Sequence, residues 1–168
     1  MVLFTLENLP KLAHEFFCEV ADLSQLTNSS LFLCRSDGVP LYVKNELNSD
    51  FDDASVGALL GGVWQAARAM ASFIPESSLG EEYRLSFDTS DKGIYIVPID
   101  LSGEEVYLGL IYFNEVNPGM VKAKLRDLSW RLQEFWSLVN IKEDKSNANL
   151  FNNITDEEMD NLFAATIQ

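Results

Sequence analysis

The chain has 168 residues, of which 47% are hydrophobic, and its formal net charge is −14. This length suits one domain with a single core, and the negative charge argues against binding to nucleic acid or to an anionic membrane, which requires a basic surface. No apolar run reaches the roughly 18 residues that cross a bilayer, and Cys18 and Cys34 are too few for a disulfide framework. We therefore expect a cytoplasmic protein.

A first helix is predicted over residues 9–26, with Pro10 in its first turn. His14 and Cys18 lie four residues apart on this helix and could form half of a metal site. Zinc needs three or four such ligands, however, and the chain has only one histidine. We expect an exposed histidine, a buried cysteine, and neither a metal nor any other cofactor.

A β-hairpin is predicted over residues 30–45, because the Asp37-Gly38 pair between two apolar runs is typical of a tight turn. Three more strands are expected later in the chain, over residues 83–88, 94–99 and 105–113, where β-branched and aromatic residues are separated by short polar turns.

The last long helix is predicted from residue 117 to about residue 139, and it is the most basic element of an acidic chain. Its basic side chains are Lys122, Lys124, Arg126 and Arg131.

The second helix, predicted over residues 53–74, has two distinctive faces. Asp52 or Asp53 can cap its first turn, and Pro75 ends it. The apolar residues recur at helical spacing, which predicts that one face packs in the core; they are Val56, Leu59, Leu60, Val63, Ala67, Met70 and Ile74. A second face consists of small residues, namely Ala54, Gly57, Ala58, Gly61, Gly62 and Ala69.

Glycine within a helix costs about 0.5–1 kcal/mol relative to alanine, so adjacent glycines indicate that another backbone approaches closely. One interpretation is a helix that pairs with a second helix; the alternative is a set of small core residues in a monomer. We predict a homodimer whose interface contains Ala54, Ala58, Gly61, Gly62, Gln65 and Ala69.

The predicted order is α-β-β-α-β-β-β-α, which gives an α+β fold with a five-stranded antiparallel sheet and flanking helices. The segment 31–136 resembles the Roadblock/LC7 family. The similar features are the Ser36-Asp37-Gly38 hairpin, the small-residue helix from Ala58 to Gly62, and the turn from Thr89 to Tyr95 before a strand.

This resemblance implies a dimer in which the second helices pair antiparallel and the third strands join into one continuous sheet. Members of the family scaffold or regulate small Ras-like GTPases, and bacterial members include the polarity proteins of gliding motility. The implied partners are therefore a second copy, a small Ras-like GTPase or another Roadblock protein.

Motifs for catalysis are missing from the sequence. It has no Gly-rich phosphate loop and no G-x-S-x-G motif, so we expect no enzyme. Arg68 is the only arginine on the second helix and could in principle act as an arginine finger, although pairing with a carboxylate is the more common role.

Three functions follow from these features. We favour a non-catalytic dimeric interaction module. The alternatives are a GTPase-activating protein for a Ras-like GTPase and a ligand-sensing α/β domain of the PAS or GAF type, which would need a polar pocket.

The chain is predicted to divide into a Roadblock/LC7-like domain (residues 1–139), a polar linker (140–153) and a short acidic helix (154–168). Thr155 and Glu158 form a capping box, which a disordered tail would not need. The apolar residues of this tail, predicted to contact a partner, are Ile154, Met159, Leu162 and Phe163. The tail resembles the N-terminal peptide of the flagellar switch protein that docks on a receiver domain; the alternative is that it folds back onto its own dimer, over the basic face with Lys124 and Arg131.

Overall fold

A computed structural model describes residues 8–46, 52–74, 83–101, 103–114 and 117–151, with residues 140–151 described by their backbone only. The C-terminal segment with Ile154, Met159, Leu162 and Phe163 lies outside the described residues, as does Pro75.

Five antiparallel strands form one sheet in the spatial order β2-β1-β5-β4-β3. The strands are β1 (Ser29–Arg35), β2 (Pro40–Asn45), β3 (Leu85–Asp88), β4 (Gly93–Leu101) and β5 (Glu104–Tyr112). Consecutive strands pair through short turns, except where a helix crosses from β2 to β3. The predicted α+β class and element order are therefore confirmed.

The helices are α1 (Leu9–Glu15), α2 (Asp53–Ala71) and α3 (Pro118–Phe151). The prediction of a first helix to residue 26 is wrong, because α1 passes into a π-helical turn over Phe16–Val20, after which Ala21 has an extended backbone. The C-terminal boundary of the last helix is also wrong. Residues 140–151, part of the expected linker, continue the α3 backbone, because several of them, such as Lys142 and Glu143, favour a helical conformation. The division of the chain into domains remains a prediction.

The sheet has a core on each face. Residues of α1, its π-helical turn and α3 pack on one face, where Phe16, Leu128 and Trp136 are buried with Leu108 of β5. The other face is covered by α2, whose Val56, Leu60 and Trp64 pack against other buried side chains of the sheet, namely Phe32, Cys34, Ile96 and Tyr107.

Local signals in the sequence account for the boundaries of the hairpin and of α2. Gly38 has φ +88°, the left-handed conformation that glycine adopts without strain. Asp52 caps α2, since its Oδ2 accepts hydrogen bonds from the Ser55 backbone N–H at 3.0 Å and from Ser55 Oγ at 2.7 Å. The side-chain hydrogen bond from Ser55, followed by the backbone hydrogen bond, lowers the pKa of Asp52.

Candidate interaction surface

The buried face of α2 is not the predicted one. Its buried residues are Val56, Gly57, Leu60, Gly61 and Trp64. Of the predicted apolar stripe, only Val56 and Leu60 are buried. Trp64 packs in the core against the sheet, and Gly57 and Gly61 let the hairpin turn approach α2 closely. This face of the helix is therefore the buried one.

Gly57 and Gly61 let the β1–β2 hairpin turn lie directly against α2. A Cβ on Gly57 would meet the Gly38 carbonyl oxygen at 2.6 Å, and one on Gly61 would meet Gly38 Cα at 2.9 Å. The hydroxyl of Tyr107 donates to the Gly57 carbonyl oxygen at 2.9 Å, and burial, followed by the nearby Cys34, raises the pKa of Tyr107. Close backbone approach was the correct interpretation of these glycines, and here it occurs within one chain.

Further apolar residues on α2 and just after its end form an exposed apolar ridge, defined as Leu59, Val63, Met70 and Ile74. Their side chains are 70%, 46%, 64% and 55% exposed, respectively. Leu59, Val63 and Met70 are separated by four and seven residues, which places them on one side of α2, and Ile74 follows three residues after the helix ends. A monomer rarely leaves such a row in water, so the ridge is a candidate interaction surface.

A smooth strip of small exposed residues, defined as Ala58, Gly62 and Ala69, lies beside the apolar ridge. A Cβ built on Gly62 has no heavy atom within 4 Å. Ala54 and Gln65 are also exposed, and Gln65 donates to the Ser36 carbonyl oxygen at 2.9 Å. Of the predicted interface residues, Gly61 alone is buried within its own chain, so Gly61→Arg would disrupt the protomer before it could test pairing.

The edge strand β3 adds exposed apolar residues on the sheet face that α2 covers. Leu85 packs against the α2 core, and Phe87, two residues further on, shares its face and is 77% exposed. Phe87 lines an apolar hollow of about 380 Å³ with Ile94, Ile111 and Phe113. Leu85 also borders a hollow that Met70 and Ile74 line, so the ridge adjoins β3, and together with the strip they form one candidate surface.

Arg68 forms an ion pair with a carboxylate, which is the role given above as the alternative to a catalytic one. Its Nη1 lies 2.6 Å from Glu105 Oε2, and Trp64 Nε1 donates to the other oxygen of Glu105 at 3.5 Å. This pair borders a hollow of about 410 Å³ that Tyr83 and Asp100 also line.

His14 is exposed as predicted, whereas Cys18 is exposed and not buried. Within the described residues, no three or more His, Cys, Asp and Glu side chains are grouped to hold a metal ion. No described helix is long and apolar enough to cross a membrane.

The basic residues of α3 already have intrachain contacts. Arg131 Nη2 donates to the Val20 carbonyl oxygen at 3.1 Å. Hydrogen bonds from Ser24 lower the pKa of Asp22, and the charges of Lys124 and Arg131 contribute to the same shift.

Comparison with known proteins finds no family model and no curated protein that matches the sequence. Solved structures are similar. MglB of Myxococcus xanthus has a TM-score of 0.56 and 18% identity, over 68% of this chain and 88% of its own. The gliding protein MglB of Thermus thermophilus has a TM-score of 0.53 and 20% identity, over 78% of this chain and 90% of its own.

A further similar structure is described as MglB with a tetrameric arrangement; its TM-score is 0.54 and its identity 17%, over 78% of this chain and 89% of its own. These likenesses establish the fold. One of these structures is named a gliding protein, and the sequence motifs are similar to those of a family whose bacterial members include proteins of gliding motility. The chain therefore has the Roadblock/LC7 fold.

Proposed function

We propose that this protein is a non-catalytic dimeric module that regulates or recruits a small Ras-like GTPase, or another Roadblock protein, in the bacterial cytoplasm. The observation that carries the proposal is the apolar ridge of α2, exposed beside a smooth strip and close to the edge strand β3. The names of the similar structures, which are those of gliding proteins, support a role in motility or cell polarity.

The ridge and the strip complement each other across a two-fold axis. In an antiparallel pair of α2 helices, Leu59 of one copy can lie over Ala69 of the other and Val63 over Gly62, because the small residues leave room for them. Burial of one such aliphatic side chain contributes about 1.5–3 kcal/mol. Pairing thus gives the adjacent glycines and the exposed ridge a common explanation.

The edge strand restricts how two copies can join. If β3 of one copy pairs with β3 of the other, the two sheets become continuous. Both α2 helices then lie on the same face only if residues that stand opposite each other across the two β3 strands belong to the same face. An antiparallel pairing centred on Ser86 meets this condition, because Leu85 then faces Phe87 of the second copy. It also places Arg84 opposite Asp88, so the charges attract.

Val63→Arg tests the pairing, because Val63 is 46% exposed and its replacement leaves the protomer core intact. In sedimentation we expect the unmodified protein to be a dimer at tens of micromolar and Val63→Arg to be a monomer with an unchanged helical content. Ala123→Arg, on the exposed side of α3, is the matched control and should remain dimeric. A monomeric unmodified protein would contradict the proposal.

Binding to a GTPase is tested by loading a small Ras-like GTPase with either GDP or a GTP analogue and measuring its retention on this protein, which is immobilised. A non-catalytic module should bind the GTPase and leave its hydrolysis rate unchanged. The alternative, a GTPase-activating protein, predicts acceleration of about 10³–10⁵-fold that Arg68→Ala abolishes. The ion pair of Arg68 with Glu105 favours the first outcome.

The length of α3 supports a recruiting role for the C-terminal segment. At 1.5 Å per residue, Phe151 lies about 30 Å along the helix from Arg131, whereas the ten residues 154–163 span only about 15 Å as a helix. Folding back onto Lys124 and Arg131 of the same chain is therefore disfavoured. We propose that Ile154, Met159, Leu162 and Phe163 instead bind another protein, such as one with a receiver domain.

Deletion of residues 153–168 should leave the dimer and its melting temperature nearly unchanged but abolish binding of the isolated partner. The double substitution Leu162→Ala and Phe163→Ala should have the same effect on binding, whereas Gln168→Ala should have none. Unfolding of the domain on deletion would show instead that the segment belongs to the core.

A further inference from the structure

The apolar hollow of about 380 Å³ lies at the end of the sheet that α2 leaves uncovered. α2 packs near the opposite end, where Gly61 lies against Gly38 of the β1–β2 turn. The hollow is found where Gly93 of β4 pairs with Tyr112 of β5, at the start of one strand and the end of the other. Among the residues that the structure describes, those that line the hollow include none from α2.

Three aligned side chains form the floor of the apolar hollow. Phe87 of β3 pairs with Ile94 of β4, which pairs in turn with Ile111 of β5. Ile94 and Ile111 are partly buried against the α2 core, whereas Phe87 is 77% exposed. An apolar floor that is open to water at one end indicates a contact with another apolar group.

Phe73, just after the end of α2, is an exposed apolar side chain that could fill such a hollow. It is 86% exposed, more than any other large hydrophobic side chain in the described part of the chain. Its backbone N–H donates to the Met70 carbonyl oxygen at 3.1 Å, and that of Ile74 donates to the Ala71 carbonyl oxygen at 2.9 Å. These hydrogen bonds hold Phe73 in a turn that continues from the end of the helix.

The proposed strand pairing brings the hollow and this turn together. α2 begins at β2, where Asn45 Nδ2 donates to Asp53 Oδ1 at 3.4 Å, and its last turn borders Leu85 of β3. The helix thus crosses the whole sheet and ends at the edge through which two copies pair. In the register centred on Ser86, Leu85 of one copy stands opposite Phe87 of the other. The end of α2 in one copy is therefore next to the apolar hollow of the other.

We propose that the apolar hollow of each copy holds the Phe73 ring of the second copy. This inference rests on the proposed pairing and adds to it a contact that neither the ridge nor the strip provides. Because the pair has a two-fold axis, the contact occurs twice, and each hollow is incomplete without a residue of the other copy. The exposed lining is almost wholly apolar, which favours a phenyl ring over a polar or charged group.

The strength of the dimer tests this contact. Phe73→Ala should raise the dissociation constant of the dimer at least about tenfold in sedimentation over a dilution series, because two aromatic rings lose their burial. Since Phe73 is exposed in the protomer, the helical content should not change. Trp130→Ala also removes an exposed aromatic ring, but from α3 on the other face of the sheet, and is the matched control. It should leave the dissociation constant unchanged.

A mixed dimer locates the ring directly by NMR. One copy is deuterated except for its isoleucine methyl groups, and the other copy is unlabelled. We expect nuclear Overhauser effects from aromatic protons of the unlabelled copy to the methyl groups of Ile94 and Ile111. These effects should disappear when the unlabelled copy carries Phe73→Ala.

Two results would overturn this inference and leave the proposed pairing intact. One is a dimer whose dissociation constant is the same with and without Phe73→Ala. The other is a dimer in which Ile94 and Ile111 show no effect from the Phe73 ring, as expected if another segment of the same chain or a small apolar ligand fills the hollow. A monomeric unmodified protein would overturn both the pairing and this inference.

Discussion

Gly61 and Gly62 are adjacent on α2 but have opposite surroundings. A Cβ on Gly61 would lie 2.9 Å from Gly38 Cα and 3.1 Å from the Tyr107 hydroxyl, whereas one on Gly62 meets no atom within 4 Å. The sequence indicates that such glycines permit close approach, but it does not indicate which atoms approach. At Gly61 they belong to the same chain, and at Gly62 we expect them to belong to a second copy.

Alanine at these two positions should change stability in opposite directions. In the monomeric Val63→Arg background, Gly62→Ala should raise the free energy of unfolding by about 0.5–1 kcal/mol, because alanine favours the helix. Gly61→Ala should lower it by about 1–2 kcal/mol, because the hairpin backbone has to shift. Urea denaturation measures both, and equal effects would contradict the contact with Gly38.

At the scale of elements, β3 is attached to α3 by a cluster of polar contacts. Lys122 Nζ donates to Asp88 Oδ2 at 2.6 Å and to Ser86 Oγ at 2.7 Å, and the Tyr112 hydroxyl donates to the same Asp88 oxygen at 3.1 Å. The hydrogen bond from Lys122, followed by that from Ser86, lowers the pKa of Asp88. These contacts hold the edge strand in position for pairing.

The contribution of Asp88 should depend on pH. Because its pKa in the folded protein is below the unfolded value of about 3.9, the stabilisation is full well above that value and is lost as the pH falls towards the folded pKa. Asp88→Asn should therefore be less stable than the unmodified protein at about pH 7, and the difference should shrink at about pH 3. Thermal unfolding at both pH values measures this, and a pH-independent difference would contradict the role of the carboxylate.

At the scale of the whole molecule, the sheet, the element order and the Gly38 turn could be predicted from the sequence, because alternation and turn residues act locally. The buried face of α2 could not. Periodicity predicts that Leu59, Val63 and Met70 lie on one apolar face of the helix. It does not predict whether residues of the same chain or of another chain cover that face. Similarly, the continuation of the α3 backbone beyond residue 139 could not be predicted, because the sequence of residues 140–151 has no sustained apolar repeat at helical spacing.

The most direct test of the central claim is disulfide cross-linking through β3, because the proposed register places Ser86 opposite Ser86 of the second copy. In a Cys18→Ser background, Ser86→Cys should form a covalent dimer rapidly under mild oxidation. Thr89→Cys, three residues from the centre, would be separated from its counterpart by about 20 Å and should not. Equal cross-linking of the two variants, or none by Ser86→Cys, would contradict pairing of two copies through α2 and β3.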